Sequence, residues 1–346
     1  MRILFYFILI SVLFACQPKE NTTNKETATT AEIKDTEVET AGGEIDSVLT
    51  ALNEKIRADI NNKDLYLVRA DHFLEAQLAK EAMQDINRAF RIDTTYLPTL
   101  LKQADFLTKS GKIESSRTIL DKANTLYPEN SQIQVAFSRL YLVARNNTKS
   151  ISYADLAIKY DLYNAEAYYL KGFSFLENGD TSKAISSYRT AVEQDPDYFE
   201  AYLELGLIYS EKNDPLAIEY FNNALEVNPN ERRVLYSKGM YEQEHDLLNE
   251  AMQTYTVAIK THPNFREAHY NMGYVHLFYL QLYRQSQQYF TDAIAVDPRY
   301  KEAYYNRGYA FEMLGDINNA AKDYRKALEI DPSYDYAAKG LSRLNN

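Results

Sequence analysis

The 346-residue chain has no tryptophan, a single cysteine, eleven glycines and no block of lysine and arginine. Each shortage excludes something. One cysteine, Cys16, permits neither an intrachain disulfide nor a cysteine-rich zinc site. With 38 basic against 49 acidic residues the formal net charge is −11, whereas a nucleic-acid binder needs a basic face to neutralise phosphates; no nucleic acid is expected as a partner. The sequence holds no glycine-rich phosphate loop, no HExxH and no GxSxG, so no catalytic residues, metal or cofactor are expected. His262, His269 and His276 are spaced seven apart. Seven helical residues rise about 10.5 Å, too far for two of these side chains to share one ion, and a packing role is expected instead. The longest apolar run, residues 3–15 broken by Ser11, is shorter than the ~20 residues a membrane-spanning helix needs.

That run has another use. Arg2, the apolar stretch and Ala15 before Cys16 have the anatomy of an export signal, residues 1–15. The end of the run, "LFAC", resembles a bacterial lipoprotein lipobox, with Phe14 bulkier than the usual residue there. The resemblance implies cleavage before Cys16, lipidation of that cysteine, and a membrane anchor made of several acyl chains. Residues 16–43 are rich in Thr, Glu, Lys and Asn, have no aromatic residue and end in Gly42-Gly43. They are expected to be a disordered tether. Gln17, rather than Asp, follows Cys16, so an outer-membrane lipoprotein facing the periplasm is the expected address, ahead of the cell surface.

What the chain has in abundance is a period. Pro128, Pro196, Pro229, Pro263, Pro298 and Pro332 are spaced 68, 33, 34, 35 and 34 apart. Gly172, Gly206, Gly239, Gly273 and Gly308 keep the same rhythm, as do Ala191, Ala224, Ala258, Ala293 and Ala327. A fixed period in this range signals stacked repeats. Within each, small residues fall at positions 8, 20 and 27, aromatics at 4, 11 and 24, and proline at 32. Small residues let two helices approach, aromatics fill the space beside them, and proline stops the second helix. The segment "AYYNRGYAFEMLGDINNAAKDYRKALEIDP" (303–332) strongly resembles the tetratricopeptide repeat.

The resemblance implies an all-α, right-handed superhelical solenoid of about eight helix–turn–helix units: 63–96, 97–130, 131–164, 165–198, 199–231, 232–265, 266–300 and 301–334. Residues 44–62 are expected to form an N-terminal helix, and residues 335–346 a polar-faced terminal helix that keeps the array soluble. The seventh unit carries one extra residue near "YLQLYRQ", expected between its helices.

In this family the first helices of successive units line a groove, with positions 2, 5, 9, 12 and 13 facing outward and 4, 8 and 11 facing inward. On that register Tyr304, Gly308 and Phe311 pack between helices while Tyr305 and Tyr309 turn away. Positions 5 and 9 put Tyr169, Phe173, Tyr236, Met240, Tyr270, Tyr274, Tyr305 and Tyr309 in a peptide-binding groove. Asn271 and Asn306, at position 6, are expected to contact a peptide backbone. Over the outward positions there are twelve acids (Asp64, Asp71, Glu75, Asp105, Glu166, Glu177, Glu200, Glu211, Glu244, Glu267, Glu302, Glu312) and three bases (Lys109, Arg139, Arg233). A protein or peptide partner with basic and apolar groups suits such a face.

The function expected is a non-catalytic scaffold or adaptor at the bacterial cell envelope. The alternative is a surface lipoprotein capturing glycans or nutrients with its groove aromatics.

Overall fold

The computed structural model describes residues 47–344, which contain helices joined by short turns and no strand. The signal segment 1–15, Cys16, the tether 16–43 and residues 44–46 of the N-terminal helix lie outside the described residues. The chain divides into two compact units, Met1–Thr50 and Ala51–Asn346. Of the first, Ser47–Thr50 is described, as the opening turn of α1 (Ser47–Ala58).

The second unit is a succession of antiparallel helix pairs. The first four are α2 (Lys63–Glu75) with α3 (Ala79–Ile92), α4 (Leu97–Lys109) with α5 (Ile113–Leu126), α6 (Ser131–Val143) with α7 (Asn147–Tyr160), and α8 (Ala165–Glu177) with α9 (Thr181–Gln194). There follow α10 (Phe199–Glu211) with α11 (Leu216–Val227), α12 (Arg232–Glu244) with α13 (Leu248–Thr261), α14 (Arg266–Tyr274) with α15 (Tyr283–Val296), and α16 (Lys301–Met313) with α17 (Ile317–Ile330). A last helix, α18 (Asp335–Leu344), lies against α17.

Two local devices repeat. Inside each pair the chain turns through one residue in the left-handed region: Gln77, Gly111, Arg145, Gly179, Asn213, Asp246, Gln281 and Gly315, with φ between 54° and 79°. The next N–H then reaches back to a carbonyl in the last turn of the first helix, as Lys112 does to Leu107 at 2.9 Å and Asp316 to Phe311 at 2.9 Å, which satisfies otherwise orphaned acceptors. Between pairs, an Asp side chain folds the chain over by accepting from the N–H two residues on: Asp93 from Thr95, Asp161 from Tyr163, Asp195 from Asp197, Asp297 from Arg299 and Asp331 from Ser333.

The packing between helices of a pair depends on missing atoms. In α8, α10, α12, α14 and α16 the eighth residue is glycine, and a ring from the second helix fills the space. A Cβ on Gly206 would sit 2.5 Å from Phe221, and one on Gly239 would sit 2.5 Å from Tyr255. Those rings, with Tyr188, Phe290 and Tyr324, are fully buried, each worth about 1.5–3 kcal/mol of burial. Along the array α4 touches α6, α6 touches α8 and α10 touches α12. First helices therefore crowd together on one side of this unit, its inner side.

The seventh pair departs from the others. Its extra residue is not in the turn but in the first helix, which ends in a five-residue π-helical segment, Val275–Tyr279. The Leu280 N–H bonds the Val275 carbonyl at 3.1 Å, and the Leu282 N–H bonds that of His276 at 2.7 Å. The physical reason is that a wider helical turn absorbs a residue with its backbone groups still paired, which a longer loop would not do. Leu277 consequently stays buried against Phe290 and Ala293.

Candidate functional site

The inner side is built from the first helices, and the side chains at their fifth and ninth positions have different fates. At the fifth position the rings are packed within their own repeats. Tyr169 lies 5.6 Å from Tyr188 and 5.3 Å from Tyr198, ring centre to ring centre. Tyr270 lies 5.6 Å from Phe290 and 5.0 Å from Tyr300, and Tyr305 lies 5.6 Å from Tyr324 and 5.8 Å from Tyr334. Tyr236 meets Phe265 at 5.9 Å. Each is half-buried. These tyrosines clamp their own second helix to the residue that closes the repeat, and burial pushes the Tyr169, Tyr236, Tyr270 and Tyr305 phenols up from the ordinary value.

This corrects the expected division of "EAYYNRGYAF". Gly308 is buried against Tyr324 as expected. Tyr304 and Phe311 pack half-buried against the Tyr324 cluster, also as expected, but so does Tyr305, instead of turning away. The reason is the end of the same repeat: its closing aromatic, Tyr334 here, covers the face that a lone helix would expose.

The asparagines are also corrected. Asn271 and Asn306 are 7% and 4% exposed, not poised for a ligand backbone. The Asn306 amide donates to the Tyr270 hydroxyl at 2.9 Å, and the Asn271 amide donates to the Tyr255 hydroxyl at 3.2 Å and approaches the Met240 sulfur at 3.2 Å. They join one repeat to the one before it.

At the ninth position the residues of the later repeats are Phe173, Leu207, Met240, Tyr274 and Tyr309, all half-buried. They form a column of apolar groups on the inner side of α8, α10, α12, α14 and α16. Tyr274 leans on Phe278 at 4.5 Å, and Phe278 stacks on Tyr309 of the next repeat at 5.8 Å and 16°. Sequence reasoning missed Phe278 as a contributor; the signal was an aromatic pair, Phe278-Tyr279, where most earlier repeats end their first helix in charged residues.

In the earlier repeats the ninth position is charged. Arg139 donates to Asp105 at 2.8 Å and to Glu166, spanning α4, α6 and α8. Lys102 pairs with Asp71 in the same way across α4 and α2. The acid excess of the face is therefore smaller than counted. Glu267 pairs with Arg266, Glu302 with Lys301 and Glu312 with Arg343, while Asp64 accepts from the Tyr96 hydroxyl at 2.7 Å. Glu75, Glu177, Glu200, Glu211 and Glu244 meet no cation among the described residues.

The histidines bond backbone carbonyls: His262 that of Asn230, His269 that of Pro263 and His276 that of Met272. Among the described residues no group of His, Cys, Asp and Glu could hold a metal, and no helix is long and apolar enough to cross a membrane. An open depression of about 530 Å³ beside Arg266, Asp297, Arg299, Tyr300 and Lys301 is a shallow surface feature whose cations are mostly paired with Asp297 and Asp331.

Comparison with known proteins agrees with this architecture. Family models described as tetratricopeptide repeat match residues 199–231 and 302–334, and one described as TPR repeat matches residues 172–213. The chain is 21% identical over 255 residues to DnaJ homolog subfamily C member 3 of Bos taurus, covering 66% of this chain and 51% of that protein. It is 30% identical over 108 residues to a cell division cycle protein 27 homolog of Caenorhabditis elegans, covering 31% of this chain and 14% of that one. The chain thus spans about half the length of the first of these relatives and much less of the second. Among solved structures it resembles the C-terminal part of a TPR repeat-containing protein from Cytophaga hutchinsonii, at 18% identity and a TM-score of 0.60, covering 70% of this chain and 99% of that one. That likeness shows the fold.

Proposed function

From the premise that the chain is a tetratricopeptide-repeat protein, we propose that it is a non-catalytic scaffold or adaptor. It binds a segment of another protein along the inner side of its later repeats. It works at the bacterial cell envelope as an outer-membrane lipoprotein, tethered through a lipid on Cys16 and facing the periplasm.

The observation that carries the binding reading is the ninth-position column. Phe173, Leu207, Met240, Tyr274 and Tyr309 are half-buried apolar groups that follow one another along the first helices, whereas the fifth-position tyrosines are taken up by packing against the second helices. A row of such groups along an open helical face suits an extended or helical segment, which buries apolar area while its polar groups stay at the rim. The glycan-capturing alternative gains nothing here, since several of its ring faces are covered by other rings.

The test combines crosslinking in native envelopes with two variants. Leu207→Glu with Met240→Glu should abolish capture of a partner that the unaltered chain retains. Cys16→Ser should release the protein from the membrane fraction and abolish fatty-acid labelling. Equal capture by the double variant removes the inner-side assignment, and unchanged membrane retention of Cys16→Ser removes the anchor.

A further inference from the structure

The eight intra-repeat turns allow one register to be compared throughout the array. Two residues before the left-handed turn residue the first six repeats carry Glu75, Lys109, Val143, Glu177, Glu211 and Glu244. The last two carry Tyr279 and Met313. One residue before it the first six carry Ala76, Ser110, Ala144, Asn178, Lys212 and His245, and the last two carry Leu280 and Leu314. All four apolar replacements are exposed, Tyr279 at 41%, Leu280 at 37%, Met313 at 40% and Leu314 at 41%.

The edge where first helices end thus changes from mostly polar to apolar at repeats 7 and 8. The π-helical segment sits at that junction: it holds Leu277 in the core and sends Phe278, 41% exposed, onto Tyr309 of the next repeat. Helical insertions of this kind re-aim the side chains that follow them and concentrate at functional sites. Contiguous exposed apolar surface marks an interaction site.

The surroundings indicate what covers it. Glu244 and Asp246, on the adjoining edge of repeat 6, pair with no cation among the described residues, and their charge is felt at the Tyr279 phenol, which is pushed up first by burial and then by Tyr274 and these carboxylates. Carboxylates beside an apolar strip repel an anionic lipid surface. They also disfavour a second copy of this acidic chain, which would bring like charges together.

We propose that the edge formed by Tyr279, Leu280, Met313 and Leu314, beyond the ninth-position column that Phe278 borders, is a second docking site for a protein segment with apolar residues along one row and Lys or Arg beside them. The proposal rests on the reading of the chain as a protein-binding array, and it adds a separate site to it. The apolar row covers the strip, and the basic groups meet Glu244 and Asp246.

The repeats supply their own control. An edge variant with Tyr279→Glu, Leu280→Asn, Met313→Glu and Leu314→Asn carries at each place a residue that repeat 4 already carries there (Glu177, Asn178), so it is expected to keep its helical circular dichroism. The full chain, the edge variant and the inner-side variant Leu207→Glu/Met240→Glu are each tested against peptides selected by the full chain from a random 16-residue display library. A class of selected peptides should have Leu or Phe three or four residues apart with neighbouring Lys or Arg. It should bind the edge variant at least tenfold more weakly and the inner-side variant unchanged.

If every selected peptide is lost by the inner-side variant and kept by the edge variant, the edge proposal falls and the inner-side reading stands. If all are lost by the edge variant alone, the edge stands and the inner side falls. Selection of no peptide at all overturns the edge. So does a dimer in sedimentation, or flotation with phosphatidylglycerol vesicles, that the edge variant abolishes, since the occupant is then a second copy or a lipid surface.

Discussion

Repeats 1 to 3 and repeats 4 to 8 solve one packing problem in two ways. In the later repeats the first helix gives up its side chain at the eighth position and the second helix supplies a ring: Gly172 with Tyr188, Gly206 with Phe221, Gly239 with Tyr255, Gly273 with Phe290 and Gly308 with Tyr324. In the earlier repeats the corresponding positions hold Ala70 and Ile86, Ala104 and Leu120, and Ser138 and Ala154, all buried. A larger residue on the first helix goes with a smaller one on the second, because interiors are filled to a nearly constant density. The seams between repeats differ too. The early ones are crossed by ion pairs, Lys102 to Asp71 and Arg139 to Asp105 and Glu166, and the last two by asparagine amides that donate to tyrosine hydroxyls of the preceding repeat, Asn271 to Tyr255 and Asn306 to Tyr270. A repeat is thus recognised less by any one residue than by the sum of a pair.

The sharpest way to break the comparison is to force one solution halfway into the other. Phe221→Ala should cost about 3–5 kcal/mol, since a large buried ring leaves a cavity beside Gly206 that only partly collapses. Gly206→Ala should cost about 1–3 kcal/mol by overpacking, because its Cβ would meet Phe221 at 2.5 Å. Gly206→Ala with Phe221→Leu recreates the alanine–leucine pair of repeat 2 and should recover most of the second loss. Arrays of this kind unfold in parts, so hydrogen exchange of α10 and α11 is the measure to use alongside the urea midpoint. A double variant no more stable than Gly206→Ala would show that the pair is not the unit.

The fold class was legible because the packing unit is short and its small residues are punctual. Gly172, Gly206, Gly239, Gly273 and Gly308 mark where a ring must enter, and that constraint is written in the sequence whatever the surroundings. The candidate site was less legible. Helical geometry turns Tyr305 by 100° from Tyr304, which assigns it a face but not a neighbour. Whether that face is open depends on Tyr334, the closing residue of the repeat, and on a backbone path that no single helix specifies. Asn306 looked like a ligand contact for the same reason, yet Tyr270 of the preceding repeat holds it. The extra residue of repeat 7 was visible as a spacing of 35 between Pro263 and Pro298. Its absorption as a π-helical turn at Val275–Tyr279 required the backbone itself.

Within the later group the ring positions are alike in shape but differ in their hydroxyls, which sharpens the comparison at smaller cost. The Tyr255 hydroxyl donates to Gln243 at 3.1 Å and accepts from Asn271 at 3.2 Å. The Tyr188 hydroxyl is buried without a hydrogen-bond partner, since Leu176 stands where Gln243 does in its repeat. Tyr255→Phe should therefore lose about 1 kcal/mol, and Tyr188→Phe should lose nothing or gain stability by removing an unsatisfied polar group. Thermal melts of the two variants side by side test this, and equal losses would mean that a solvent molecule serves Tyr188.

The smallest expected effect concerns the sixth position, where repeats 7 and 8 place the neutral amides of Asn271 and Asn306 but repeat 5 places Glu204. The Glu204 side chain is 14% exposed, with Arg233 3.7 Å away. Burial raises its carboxyl pKa, and Arg233 only partly offsets this. The folded chain then keeps this proton to a higher pH than the unfolded chain does. Between the ordinary glutamate value and the raised native one the folded state binds more protons, so this residue's contribution to stability falls as pH rises and stays lower above that window. Glu204→Gln should flatten the slope just above the ordinary glutamate range, raise the unfolding midpoint slightly at neutral pH and change little well below pH 4. Placing an acid at the matching site of repeat 7 with Asn271→Asp should create a slope of the same sign, with an added loss from the broken bond to Tyr255. If instead the pH profile of Glu204→Gln runs parallel to that of the unaltered chain, Arg233 neutralises the carboxylate fully and repeat 5 bears no cost for carrying a charge where repeats 7 and 8 carry an amide.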